Sequence, residues 1–152
     1  MMSDEFLLLY GSLGSREPMH VELGLDKALQ YLGPREIRGS LYDLGTYPGL
    51  VLGRGMVVAE LFKIGDRSVL SRLDEFEEYD HAKLTQSLFR RTTLQLPRYR
   101  SRIANKIHSH PTIDAWIYVY NQPIDDKEKI AQPLWQEYKR KRQKPEFPPS
   151  EV

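Results

Sequence analysis

The sequence predicts an α+β domain: a small mixed β-barrel or tightly curled sheet with flanking helices. Three features predict it. Several short runs are rich in β-branched and aromatic residues, Gly and Pro interrupt them every few positions, and two segments carry apolar residues at helical spacing.

The elements follow in order. "FLLLY", Phe6 to Tyr10, is continuously apolar and stops at Gly11 and Ser12, as expected of a short strand buried on both faces and closed by a glycine turn. In "REPMHVELGLDKALQYLG", Val21, Leu25, Ala28, Leu29 and Leu32 fall near helical spacing, and Gly33-Pro34 reads as a stop, so one helix is expected there. From Arg35 the texture changes. "EIRGSLYDLGTYPGLVLG" is broken repeatedly by Gly and Pro, and "MVVAELFKI" alternates, which predicts strands and tight turns. "DRSVLSRLDEFEE" returns to helical spacing, with Asp66 placed to cap its start. "LFRRTTLQL" and "DAWIYVYN" then read as strands joined by the polar connection "PRYRSRIANKIHSHPTI". The segment "DDKEKIAQPLWQEYKRKRQKPEFPPSEV" predicts a short helix and a Pro-containing end.

Composition narrows the function classes. At 152 residues the chain reads as one domain, with residues 1–138 forming the folded unit and 139–152 a basic, Pro-containing tail. Lys plus Arg number 22 and Asp plus Glu 21, so no global field favours nucleic acid or an anionic membrane, and a small-molecule partner is expected. The absence of cysteine excludes disulfides, thiolate nucleophiles and Cys-ligated zinc, and fits a reducing compartment, so a cytoplasmic location is expected; a monomer is the simpler expectation for the oligomeric state. "MMSDEFLLLY" has acids where a signal peptide carries basic residues, and no run has the length of a membrane helix.

The run "RLDEFEEYD" packs five acids into seven residues, Asp74 to Asp80. With about 100° per residue, Val69, Leu70, Leu73 and Phe76 form one apolar arc, and Glu77 falls inside it, seven residues after Leu70 and four after Leu73. Asp74, Glu75 and Glu78 fall at the edge or opposite. A carboxylate on an apolar face has its pKa raised by desolvation, toward the range of a general base. Two readings of Glu77 stand at this point: a proton-transfer group, or a rim residue paired with Arg90 or Arg91. Alternation along "MVVAELFKI" also turns Glu60 toward an apolar face, where a structural ion pair is the stronger expectation.

"LLLYGSL" closing the first strand, "LDEFEEY" after a helix and "AWIYVYN" as a late strand occur in that order. Together with "GSLYDLGTYPGLV", "VVAELFKI" and "FRRTTLQL" they resemble the gamma-glutamyl cyclotransferase-like family, closest to its gamma-glutamylamine cyclotransferase branch and small bacterial relatives, over roughly residues 6 to 121. The resemblance implies a small mixed β-barrel and an enzyme that cyclises a gamma-glutamyl amine or peptide to 5-oxoproline with release of the amine. It implies Glu77, the acid of Leu-Asp-x-x-Glu, as catalytic acid/base, Tyr10, Gly11, Ser12 and Leu13 as the substrate loop, and Tyr118 near the reacting group. No metal and no organic cofactor are implied, because the substrate's own α-amine is the nucleophile. Many relatives carry glycine after the catalytic acid where this chain has Glu78, and Ala59 replaces a frequent glycine before Glu60.

Other signals are weaker. His108 and His110, spaced by two in a basic segment without a nearby acid, are a poor ligand pattern. "YKRKRQK" reads as a charged helix terminus before it reads as a nucleic-acid contact, and "YGSLGS" lacks the spacing of a phosphate loop. The alternatives to an enzyme are a non-catalytic small-ligand binding domain of the same fold, and a module that binds RNA or a partner through its basic segments.

Overall fold

Leu7, Leu8 and Leu9 are all buried, so β1 (Phe6–Leu9) needs a neighbour on each edge and a layer on each face. It has them. β1 pairs antiparallel with β3 (Pro48–Ile64), Leu9 facing Glu60, and parallel with β5 (Thr112–Tyr120), Phe6 facing Ala115. β2 (Leu29–Asp43) pairs antiparallel with β3, β4 (Phe89–Pro97) with β5, and the two-residue β6 (Glu128–Lys129) with β2. The order in the resulting sheet is β4-β5-β1-β3-β2-β6, a curled, mixed half-barrel. The helices are α1 (Pro18–Glu22), α2 (Leu25–Ala28), α3 (Val69–Phe76) and α4 (Trp135–Gln143), with a 3-10 segment at His81–Gln86. This computed structural model describes residues 4–97 and 112–143; the expectations for His108, His110 and most of the β4–β5 connection lie outside them.

Period-two alternation divides the core. Leu8 joins Ile37, Leu41, Leu50, Val57, Ala59, Leu61 and Ile117 on one face, while Leu7 and Leu9 join Leu25, Phe62, Val69, Leu70, Leu73 and Phe89 on the other. The first layer is closed by Trp135 of α4, which is fully buried, and the second by α2 and α3. α4 is otherwise polar and is held by Tyr138 Oη donating to Asp43 Oδ2 (2.7 Å), Arg142 Nη1 to the same oxygen (2.7 Å), and Lys139 Nζ to Glu17 Oε1 (2.5 Å). It runs without a break through position 139.

Two local expectations are corrected. Instead of one helix ending at Gly33-Pro34, there are two short ones, because Gly24 sits in the left-handed region (φ 71°) and stops α1. From Leu29 the chain is already strand, with Leu29 opposite Ile64 and Tyr31 opposite Phe62, and Gly33 marks a register shift inside β2. The Gly-broken stretch after Arg35 belongs to two long strands, not many short ones. The glycines absorb a second register shift, where Arg38 faces Met56 but Gly39 faces Leu52, with Gly53 and Gly55 at φ 133° and 102°.

Candidate active site

The bend after β1 is shaped by close approach. A Cβ on Gly11 would lie 2.8 Å from Cδ and Cγ of Pro48, so only glycine lets the bend pass that ring. Gly14 N–H donates to Gly11 O (3.0 Å), and the buried His20 donates from Nδ1 to Leu13 O (2.8 Å), since a carbonyl can only accept. At the far end, Ser15 donates its amide to Glu60 Oε1 (2.7 Å) and its hydroxyl to Oε2 (2.5 Å). Glu60 therefore has a hydrogen-bonding partner where an ion pair was expected. Among the described residues, no acceptor takes the amides of Gly11, Ser12 or Leu13.

Facing this bend is the end of α3. Tyr79 N–H reaches back to Asp74 O (2.8 Å) and Glu78 N–H to Glu75 O (3.2 Å), the paired bonds of a Schellman cap with Glu77 at the C-cap position. Such a cap needs a left-handed residue next. Glu78 supplies it at φ 54°, the only non-glycine residue with positive φ among those described. The cap ends the helix just after Glu77 and fixes where its side chain leaves. Asp66 receives the amide and hydroxyl of Ser68 (3.0 and 2.8 Å), capping the turn that leads into α3.

Glu77 is half-buried, and desolvation pushes its pKa up to about 8. No described side chain pairs with it. Arg91, one of the two arginines considered as its partner, is bound elsewhere: Nε and Nη2 donate to Asp74 Oδ1 and Oδ2 (2.8 and 3.0 Å), and its guanidinium lies 4.4 Å from the ring centroid of Trp116. Arg90 is exposed. Tyr118 completes that group by donating its hydroxyl to Asp74 Oδ1 (2.6 Å), and burial first, then the Asp74 bond, drives its pKa upward. The Tyr10 hydroxyl is also occupied, donating to Tyr118 O (2.6 Å) and accepting from Leu50 N–H (3.3 Å). Its pKa is raised well above the ordinary phenol value by burial first and then by the charge of Glu77.

These parts meet in one cavity, whose space amounts to roughly 620 Å³ when its open mouth is included. Tyr10, Gly11, Ser12, Leu13, Glu77 and Tyr118 all line it, so every site residue singled out in the sequence is brought to one place. Tyr47, Pro48, Phe76, Glu78, Leu88 and Phe89 complete the lining. Of these, Tyr47 and Phe89 carried no signal beyond being aromatic in strand-and-turn segments. Among the described residues, no three of His, Cys, Asp and Glu cluster as a metal set, and no helix is long and apolar enough to cross a membrane.

The family described as gamma-glutamyl cyclotransferase, AIG2-like, matches residues 7–137. The chain belongs to that family. It is 32% identical over 134 residues to the gamma-L-glutamyl-butirosin B gamma-glutamyl cyclotransferase of Niallia circulans, covering 88% of this chain and 76% of that protein. It superposes on the solution structure of ytfP from Escherichia coli with TM-score 0.59 at 29% identity, covering 86% of this chain and 95% of that one. The crystal structure of an AIG2-like protein from Mus musculus gives TM-score 0.64 at 19% identity over 88% of this chain and 89% of that one, a likeness of fold. The family's half-barrel thus frames a cavity lined by two carboxylates, Glu77 and Glu78, neither of them paired with another side chain among the described residues.

Proposed function

We propose that this chain is a cyclotransferase that converts a gamma-glutamyl amine or peptide to 5-oxoproline and a free amine, with Glu77 as the proton carrier. The observation that carries this reading is that one cavity is lined both by a desolvated carboxylate and by a bend whose three amides, like that carboxylate, have no hydrogen-bond partner among the described residues. The amides of Gly11, Ser12 and Leu13 hold the substrate carboxylate or the oxyanion that develops on the γ-carbonyl. The substrate's α-amine attacks the γ-carbonyl carbon. That C–N bond closes the five-membered ring and the original C–N bond to the leaving amine breaks. Glu77 takes the proton released by the attacking nitrogen and returns it to the departing one, so the acid is regenerated and no water is consumed.

Positioning amine and carbonyl makes the step intramolecular, an advantage worth up to about 7 to 11 kcal/mol in favourable cases. Tyr118, fixed to Asp74, holds its ring against the reacting end, and Tyr10 contributes backbone, since its hydroxyl is already bound within the core. The test is incubation with a panel of gamma-glutamyl amines and direct detection of 5-oxoproline. Glu77→Gln is expected to lower turnover by about a hundred- to ten-thousand-fold while retaining ligand affinity. Binding without 5-oxoproline from the native chain would replace this reading with that of a small-ligand binding domain.

A further inference from the structure

Resting on the cyclotransferase reading, we infer that Glu78 selects the leaving group, favouring gamma-glutamyl derivatives of amines that carry a second positive charge over those that carry a carboxylate. Three observations converge. The cavity lining contains two carboxylates, Glu77 and Glu78, and no lysine or arginine among the described residues. Arg91, on the strand that carries Phe89, is committed to Asp74.

The second observation is conformational. Glu78 occupies the left-handed position of the α3 cap, where a side chain is disfavoured and glycine is the default. Its carbonyl is pinned by Leu88 N–H (3.0 Å), so the residue is held in that geometry from both sides. A glutamate retained at a place suited to glycine puts charge at the mouth of the cavity at a conformational cost. Third, the charge reaches the lining: after burial, Glu78 is the first of the charges that raise the pKa of Tyr47, itself part of the cavity wall. Phe76, 40% exposed, and Tyr47 supply apolar surface beside it for the stem of such an amine.

The experiment compares three matched substrates, the gamma-glutamyl amides of n-pentylamine, of a terminal diamine of the same length, and of an ω-amino acid of the same length. kcat/KM is read from 5-oxoproline release, and Kd by calorimetry in the Glu77→Gln background, where turnover is suppressed. The diamine derivative is expected to be preferred to the amino-acid derivative by about tenfold, less at high salt. Glu78→Gln and Glu78→Gly should each collapse that ratio toward one, and Glu78→Gly keeps a well-folded control because glycine suits the cap. An unchanged ratio in both variants, or no preference in the native chain, overturns the inference and leaves the cyclotransferase reading standing. Discrimination in Kd without 5-oxoproline from any substrate supports Glu78 as the selector while overturning the reaction. No binding of any of the three overturns both.

Discussion

Glu60 and Glu77 stand at the two ends of the same bend, and only one of them is satisfied. Glu60 takes both donors of Ser15 and so fastens the bend to β3. Glu77, across the cavity from Gly11 to Leu13, takes none from any described residue and is pushed toward neutrality by desolvation alone. The same side chain is a clamp when its oxygens are filled and a proton store when they are left empty. Asp74, three residues before Glu77 on α3, repeats the lesson, since the arginine that would have quenched Glu77 spends its fork on Asp74 instead.

The contrast can be broken experimentally, beginning with the largest effect. In the native chain, kcat/KM is expected to rise with pH to a plateau above about pH 8, as Glu77 loses its proton, and Glu77→Gln should abolish both the rate and that limb. The same residue acts on stability with a definite sign. Folded Glu77 keeps its proton up to about pH 8, an unfolded glutamate releases it near about 4.3, so the folded state binds more protons in between and stability falls as pH rises through that window. Thermal melts of Glu77→Gln should show that decline flattened.

Asp74→Asn leaves the Arg91 guanidinium without its carboxylate and weakens the Tyr118 bond. Stability should drop by about 2–3 kcal/mol in denaturant titrations, with activity falling further as Tyr118 loosens. Gly11→Ala drives a methyl group into Pro48, and a loss of about 1–3 kcal/mol is expected, with KM raised because the bend must move. Glu60→Gln is the sharpest test of the contrast. It keeps an acceptor for Ser15, so about 1 kcal/mol of stability and only a few-fold in kcat should be lost. A Glu60→Gln defect as deep as that of Glu77→Gln would erase the distinction between clamp and proton store.

Much of this was legible in the residues because it is local. The wheel that turns Glu77 inward needs only α3, and the strands β1, β4 and β5 were visible from uninterrupted apolar or aromatic runs. What was hidden depends on partners far along the chain. Periodicity put Leu25, Ala28 and Leu29 on one helix, but Leu29 had a stronger claim on Ile64 of β3, and the pattern alone does not show which pairing wins. The Asp74–Arg91–Tyr118 group joins residues 17 and 44 apart in sequence to one carboxylate, so Asp74 read only as an edge acid. Tyr47 reaches the cavity through the turn into β3, a path with no signature of its own.

The anchoring of α4 has its own consequence. Two aromatic rings, Trp135 and the partly buried Tyr138, seat this highly charged helix in the half-barrel, while its surface is tied to Glu17 by Lys139 and lies within reach of the Gly11 carbonyl through Gln136 (3.4 Å). A segment held by so few apolar contacts is the kind that opens before the whole domain does. Warming the protein should therefore blunt turnover ahead of global denaturation, as the C-terminal turns peel away and the amide cradle slackens.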